Sequence, residues 1–138
     1  MLRKLTSIPG DIELLASKGK TRSKNWTLAQ VADHLAMAIE WQIGLIPEGM
    51  LPARLPPMWV RRVFRCVFLG IGRLPANVPA NESILPQEDV ALPASIARLR
   101  NAIKLMHEFA GPFRTHPFFG NMSLAGWVRF HEVHARIT

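Results

Sequence analysis

The chain has 138 residues, of which 49% are apolar, so we expect one domain with a buried core and exclude a disordered or fibrous chain. Its formal net charge is +7, but the basic residues are spread along the sequence without a nucleic-acid motif, which favours a solvated basic surface over specific nucleic-acid binding. The single cysteine, Cys66, excludes an internal disulfide and fits a reducing compartment such as the cytoplasm.

Apolar residues spaced three and four apart predict an all-α chain, beginning with a short helix. This helix starts at Pro-Gly-Asp, residues 9–11, and carries Ile12, Leu14 and Leu15. A polar connection over residues 18–25 follows it.

Thr27 and Gln30 have the spacing of a capping box and therefore predict the start of a second helix. The helix should run to about Ile46, because Pro47 and Gly49 stop it. Its apolar stripe consists of Leu28, Val31, Leu35, Ile39, Ile43 and Ile46.

A proline-rich connection over residues 47–57 leads to a third helix over residues 58–72. Three arginines, Arg61, Arg62 and Arg65, lie on one side of it, and apolar residues cover most of the rest. A core helix is favoured over an amphipathic element that touches a membrane, because a domain of this size needs three or four buried helices. Cys66 is then a buried, inert thiol, and the arginine-broken apolar stretch is too short to span a bilayer.

A long surface loop over residues 74–87 precedes a fourth helix over residues 89–109, with Pro93 in its first turn. Ile96, Leu99, Ile103 and Met106 should point inward. Ser123 caps a fifth helix that continues to the end of the chain. Residues 1–138 are therefore predicted to form a single up-and-down bundle with a short first helix and four main helices.

The most informative side chains are His34 and His134, which fall on or beside the apolar faces of the second and last helices. A lone histidine in such a place is more often a hydrogen-bonded core residue than a ligand, so both interpretations stay open. His131 lies one turn before His134, and the two are neighbours on the helix surface. The three imidazoles together would form a three-nitrogen metal site with an open position, which is typical of catalytic zinc.

Other chemistry finds little support in the sequence, which has no P-loop, glycine-rich dinucleotide turn or nucleophile elbow. His107 and His116 look less useful as ligands, one at the end of the fourth helix and the other before Pro117 in a loop. Asp33 and Glu132 each adjoin a candidate ligand, but adjacent helical positions face different ways.

Two sequence blocks resemble the DinB-like superfamily. Residues 25–36 (Asn-Trp-Thr-Leu-Ala-Gln, then His-Leu-Ala) resemble its opening block. Residues 116–134 (His-Pro-Phe-Phe-Gly, then Leu124, Trp127 and His134) resemble the closing block of a branch known only as a domain of unknown function.

The resemblance implies a four-helix bundle of the DinB/YfiT-like type in which three histidines bind a divalent metal, often zinc or nickel. Carried over by position, His34 is one ligand and His134 is the first ligand from the last helix. The family's second histidine from that helix follows four residues later, where this chain has Thr138 and stops.

Three accounts of this departure are open: a degenerate site without metal, His131 as the replacement ligand, or a C-terminus truncated within the motif. A further hypothesis is that the terminal carboxylate of Thr138 binds the metal.

The resemblance therefore predicts a metal-dependent transferase or hydrolase acting on a small thiol or other small molecule, provided that the histidine set is complete. The alternative is a non-catalytic interaction module whose basic third helix or proline-rich loops contact a partner or an anionic surface. Neither interpretation includes a transmembrane segment, and a homodimer is compatible with both.

Overall fold

A computed structural model describes residues 4–19, 22–23, 26–46, 57–70, 91–116 and 119–137, and this part of the chain is mainly helical. The α-helices are α1 (Ile8–Ser17), α2 (Leu28–Gln42), α3 (Met58–Phe64), α4 (Leu92–Glu108) and α5 (Leu124–Ile137). A 3-10 turn (Leu5–Ser7) precedes α1, and two short antiparallel strands, β1 (Arg22–Ser23) and β2 (Trp26–Thr27), precede α2. The predicted all-α class is confirmed, and the up-and-down bundle type stays a prediction.

The start of α2 is fixed by the predicted capping box. The Thr27 hydroxyl oxygen accepts a hydrogen bond from the Gln30 amide at 3.1 Å, and the Gln30 side-chain oxygen accepts one from the Thr27 amide at 3.0 Å. Two amide groups that the helix itself leaves without partners are thereby satisfied.

The end of α2 comes at Gln42, four residues before the predicted end. Gly44 adopts a left-handed conformation with φ of 84°, and its amide donates to the Trp41 carbonyl. The Leu45 amide donates to the Glu40 carbonyl, which completes the pair of bonds of a Schellman motif. A glycine that accepts this conformation without strain therefore ends the helix before Pro47 is reached.

Arg114, from the segment between α4 and α5, closes the same end of α2. Its backbone amide donates to the Gln42 carbonyl at 2.9 Å, and its guanidinium donates to the Ile46 carbonyl at 2.7 Å. The guanidinium also lies over the Trp41 ring, 5.0 Å from its centre. A positive charge is favourable here because the carbonyl end of a helix is electronegative.

The first helix begins at Ile8, one residue before the predicted start, and buries Ile12 as expected. Leu14 and Leu15, the other two apolar residues of this helix, are 54% and 39% exposed, because α1 contacts α2 and α4 along a narrow stripe.

The third helix corrects the prediction of a core helix. No residue of α3 is buried, and the π-helical segment that continues it, Arg65–Leu69, buries only Leu69. Trp59 is 71% exposed, and Cys66, expected to be buried, is exposed as well. Apolar spacing alone does not distinguish a face packed on the core from one that meets solvent, which explains the error.

One side of α3 is nevertheless held firmly. Phe64, Phe68 and Leu69 pack against an aromatic cluster described below. Gly120, with φ of 73°, lies so close that a Cβ atom there would come within 3.3 Å of the Met58 side chain.

The remaining helices follow the predictions closely. Helix α4 begins at Leu92 with Pro93 in its first turn, and its four predicted inward residues are buried. Ser123 caps α5, since its hydroxyl oxygen accepts from the Gly126 amide at 3.3 Å. The described residues do not include most of the predicted connection over 47–57 (residues 47–56), the last two residues of the predicted third helix (71–72), the loop over 74–87, residues 89–90 or Thr138. None of the helices in the described part is long and apolar enough to cross a bilayer.

The buried residues form two clusters that share α2. The larger cluster joins α1, α2 and α4 through aliphatic side chains. The second, called here the aromatic cluster, lies where the end of α2 meets α5, the π-helical segment and the loop before α5. Its buried members are Trp41, Leu69, Phe119, Met122, Trp127, Phe130 and Val133.

Arg98 of α4 connects two acidic residues of α2. Its guanidinium donates to Asp33 at 2.8 Å and to Glu40 at 2.6 Å, and the two carboxylates stand two helical turns apart. Asp33 is only 5% exposed, and the ion pair with Arg98 replaces hydration that it loses on burial. The two carboxylates, Glu40 foremost, raise the pKa of Arg98.

We expect Arg98→Met to lower the free energy of unfolding by about 1–3 kcal/mol, because it leaves the buried Asp33 without its cation while keeping the aliphatic stem. Arg100 provides a matched control, since both it and its partner Glu13 are about half exposed. Arg100→Met should cost less than about 0.5 kcal/mol in the same urea titration. Equal effects of the two substitutions would contradict the role given to Arg98.

Candidate functional site

His34 and His134 meet between α2 and α5. Their Nε2 atoms lie 3.1 Å apart although the residues are 100 positions apart in sequence. The rings approach edge to face, with centres 4.9 Å apart. Trp26 packs against the His34 ring and Phe130 stacks on the His134 ring, so both imidazoles are held in place by aromatic neighbours.

The 3.1 Å separation is compatible with two kinds of interaction. A direct hydrogen bond requires one ring to carry its proton on Nε2 and the other to accept it. Two imidazole nitrogens that bind one zinc ion at about 2.0–2.1 Å with tetrahedral angles lie about 3.3 Å apart. Both nitrogens can therefore serve one ion with little change in the positions of the helices.

His131 lies one turn before His134 and is fully enclosed, with 1% of its surface exposed. Its Nε2 is 2.6 Å from the side-chain oxygen of Gln42, so this nitrogen is engaged within the protein. Gln42 is itself completely buried at the end of α2. Within the described part of the chain, Nδ1 of His131 makes no hydrogen bond.

His116 was considered a less useful residue from the sequence, but the structure encloses it in the aromatic cluster. Its Nδ1 accepts a hydrogen bond from the Phe119 amide at 3.1 Å, and its ring packs against Phe119, Trp127 and Phe130. His107, by contrast, bonds its own helix, through the Ile103 carbonyl.

Three of the histidines, His116, His131 and His134, have lowered pKa values, which favours the neutral form. Burial lowers the pKa of His134 to about 3, and electrostatic repulsion by the imidazoles of His34 and His116 contributes to a smaller extent. Burial and then the charge of Arg61 lower the pKa of His116 to about 3. Burial, with smaller effects of His134 and His116, also lowers the pKa of His131. Neutral imidazole is the form that binds metal ions.

The acidic residues beside the candidate ligands have other roles. Asp33 and Glu40 bind Arg98, and Glu132 accepts the Leu5 amide at 2.8 Å. Among the described residues, no three histidine, cysteine, aspartate or glutamate side chains come together as a metal-binding group. The structure thus brings His34 and His134 together and gives His131 a glutamine partner.

Comparison with known proteins identifies a family. A family model matches residues 2–137, and its description is protein of unknown function (DUF1569). The chain belongs to this family. Nothing among the curated proteins or the solved structures matches it. The match agrees with the prediction of a family of unknown function, and membership of the DinB-like superfamily stays a prediction.

Sequence reasoning missed Gln42 and the placement of His116. Gln42 stands two helical turns after His34, and a polar residue on an otherwise buried helix is a signal of a buried partner. His116 belongs to the His-Pro-Phe-Phe-Gly block, whose ends pair through mutual backbone hydrogen bonds between His116 and Gly120.

We expect this DUF1569 protein to lose stability as the pH falls below about 6.5. Unfolded histidines bind protons near that pH, whereas folded His116 resists protonation until about pH 3. The unfolded state therefore binds more protons, and each such histidine lowers the free energy of unfolding by up to about 2 kcal/mol between pH 7 and pH 5.

Urea titrations at several pH values check this expectation. His116→Phe should reduce the loss in the free energy of unfolding between pH 7 and pH 5 by the contribution of one histidine. His107→Phe, at an exposed position, should leave that loss unchanged. An equally steep decline in both variants would show that His116 is not protected in the folded state.

Proposed function

We propose that His34 and His134 bind one divalent transition-metal ion, zinc or nickel, through their Nε2 atoms. The observation that carries this proposal is the 3.1 Å approach of two ring nitrogens from helices that are distant in sequence. The proposal includes a DinB-like up-and-down bundle as the architecture around the ion, supported by the two sequence blocks that contain these histidines.

The side chains present fit such an ion in chemistry and protonation state. Imidazole is a preferred ligand of zinc and nickel. The lowered pKa of His134 means that binding needs no proton to be displaced from it at neutral pH. Trp26 and Phe130 limit the rotation of the two rings, so little order has to be gained on binding.

Two protein ligands leave coordination positions for water or for a substrate atom. A bound divalent ion would act as a Lewis acid and lower the pKa of a coordinated thiol or water. The contribution of this chain would be to hold the ion with His34 and His134 and to orient it beside an aromatic wall that includes Phe130. This arrangement suits transfer of a small thiol, or hydrolysis of another small molecule by a coordinated water.

A purely structural role for the pair is the competing interpretation, in which one imidazole donates a hydrogen bond to the other. It requires no metal and leaves the histidines as polar core residues. The two interpretations differ in whether the histidines control metal affinity.

The test is a calorimetric titration of zinc and nickel into tag-free protein that has been stripped with a chelator. We expect one ion per chain, with affinity reduced on the order of 100-fold or more in His34→Ala and His134→Ala. His107→Ala is the matched control and should bind as the parent does. Absence of binding, or equal affinity in all variants that remain helical by circular dichroism, would refute the proposal.

We expect a different result for His131→Ala. Because Nε2 of His131 bonds the buried Gln42, the substitution should lower the free energy of unfolding by about 2–4 kcal/mol. Metal affinity should fall by less than about tenfold. A loss of affinity as large as that of His34→Ala would instead identify His131 as the third ligand.

A further inference from the structure

The solvent side of α3 and the π-helical segment carries a row of apolar side chains. Met58, Trp59, Val63 and Val67 are 49%, 71%, 50% and 47% exposed. Large apolar side chains grouped on one exposed helix face mark an interaction surface more often than isolated ones do. We call these four residues the α3 face.

The opposite side of the same helix is anchored to the protein. Phe64, Phe68 and Leu69 pack in the aromatic cluster, and Arg129 of α5 donates to the Leu69 carbonyl at 2.9 Å. Arg65 adds a hydrogen bond to the Asn121 carbonyl. The α3 face therefore points outward from a fixed support, so contact with a partner does not require the helix to leave the core.

Within residues 57–70, all the charged side chains are positive. Residues 57–70 contain three arginines and no acidic residue, and the whole chain carries a net charge of +7. Arg62 is exposed on the same side as Met58 and Trp59. Its long side chain can extend to an anion while its stem follows the helix.

From these observations we infer that the α3 face lies on an anionic phospholipid surface. Tryptophan is favoured at the boundary between headgroups and acyl chains, and arginine pairs with lipid phosphate. A helix with apolar and basic residues lies in the plane of that boundary without spanning it. A second copy of this chain fits less well, because residues 57–70 of each copy carry three arginines and no acidic residue, so that two such helices would repel one another.

The test is co-sedimentation of the full chain with phosphatidylcholine vesicles, with and without about one third phosphatidylglycerol. We expect binding to the anionic vesicles only, and weaker binding as salt increases. Trp59→Ser and Val63→Ser should each reduce partitioning, on the order of tenfold for Trp59. Leu14→Ser removes an equally exposed apolar side chain from α1 and should have no effect.

Tryptophan fluorescence gives a second measurement. Trp41 and Trp127 are buried and Trp26 is half-buried, so Trp59 is the tryptophan that anionic vesicles should shift to shorter emission wavelength. Trp59→Phe should keep most of the binding and lose the shift.

Three results would overturn the inference. The first is absence of binding, and the second is equal binding of Trp59→Ser and Leu14→Ser, which would point to the basic surface as a whole. The third is a dimer in sedimentation velocity that Trp59→Ser dissociates without any vesicle binding, which would identify a second copy as the occupant.

Discussion

The buried position of α2 constrains the rest of this protein. Most of its fifteen residues are inaccessible, and they include three polar side chains, Asp33, His34 and Gln42. A polar group removed from water costs free energy unless a hydrogen bond replaces its hydration. Each of the three has such a partner from another helix: Arg98 on α4, and His134 and His131 on α5.

These three contacts set the positions of α4 and α5 along α2. Apolar packing is tolerant of sliding, whereas a hydrogen bond is lost within a few tenths of an ångström beyond its usual length. The aliphatic cluster therefore supplies most of the burial, and the polar pairs select one register of the helices. The proposed metal site uses the register that the His131–Gln42 bond and the Arg98 ion pairs already fix.

Features of the fold that depend on residues close together in the sequence could be predicted, whereas contacts between distant helices could not. Three features were predicted correctly because each depends on residues within a single helical segment. They are the capping box of Thr27 and Gln30, the proline in the first turn of α4 and the inward face of α4. The identity of His34 and His134 as the informative pair came from their helix faces and from the family resemblance. The 3.1 Å distance between their Nε2 atoms could not be predicted, because it depends on how α2 and α5 pack against each other.

The errors have a common physical origin. The residues of the α3 face have helical spacing suited to burial, but the number of neighbouring elements decides whether a face is covered. His131 bonds Gln42 of α2, and the ring of His116 packs against Trp127 and Phe130 of α5, so no local pattern reports these contacts. Cys66 was predicted to be buried from its apolar neighbours and shares the exposure of α3.

The crossing of Arg114 over the end of α2 limits how this fold can vary. Since one residue satisfies two carbonyls there and covers the Trp41 ring, the polypeptide between α4 and α5 passes directly across the tip of the helix. One more turn of α2 would extend it by about 5.4 Å into that path. Length variation among homologous proteins should therefore be found elsewhere, with the distance from Thr27 to Gly44 kept constant.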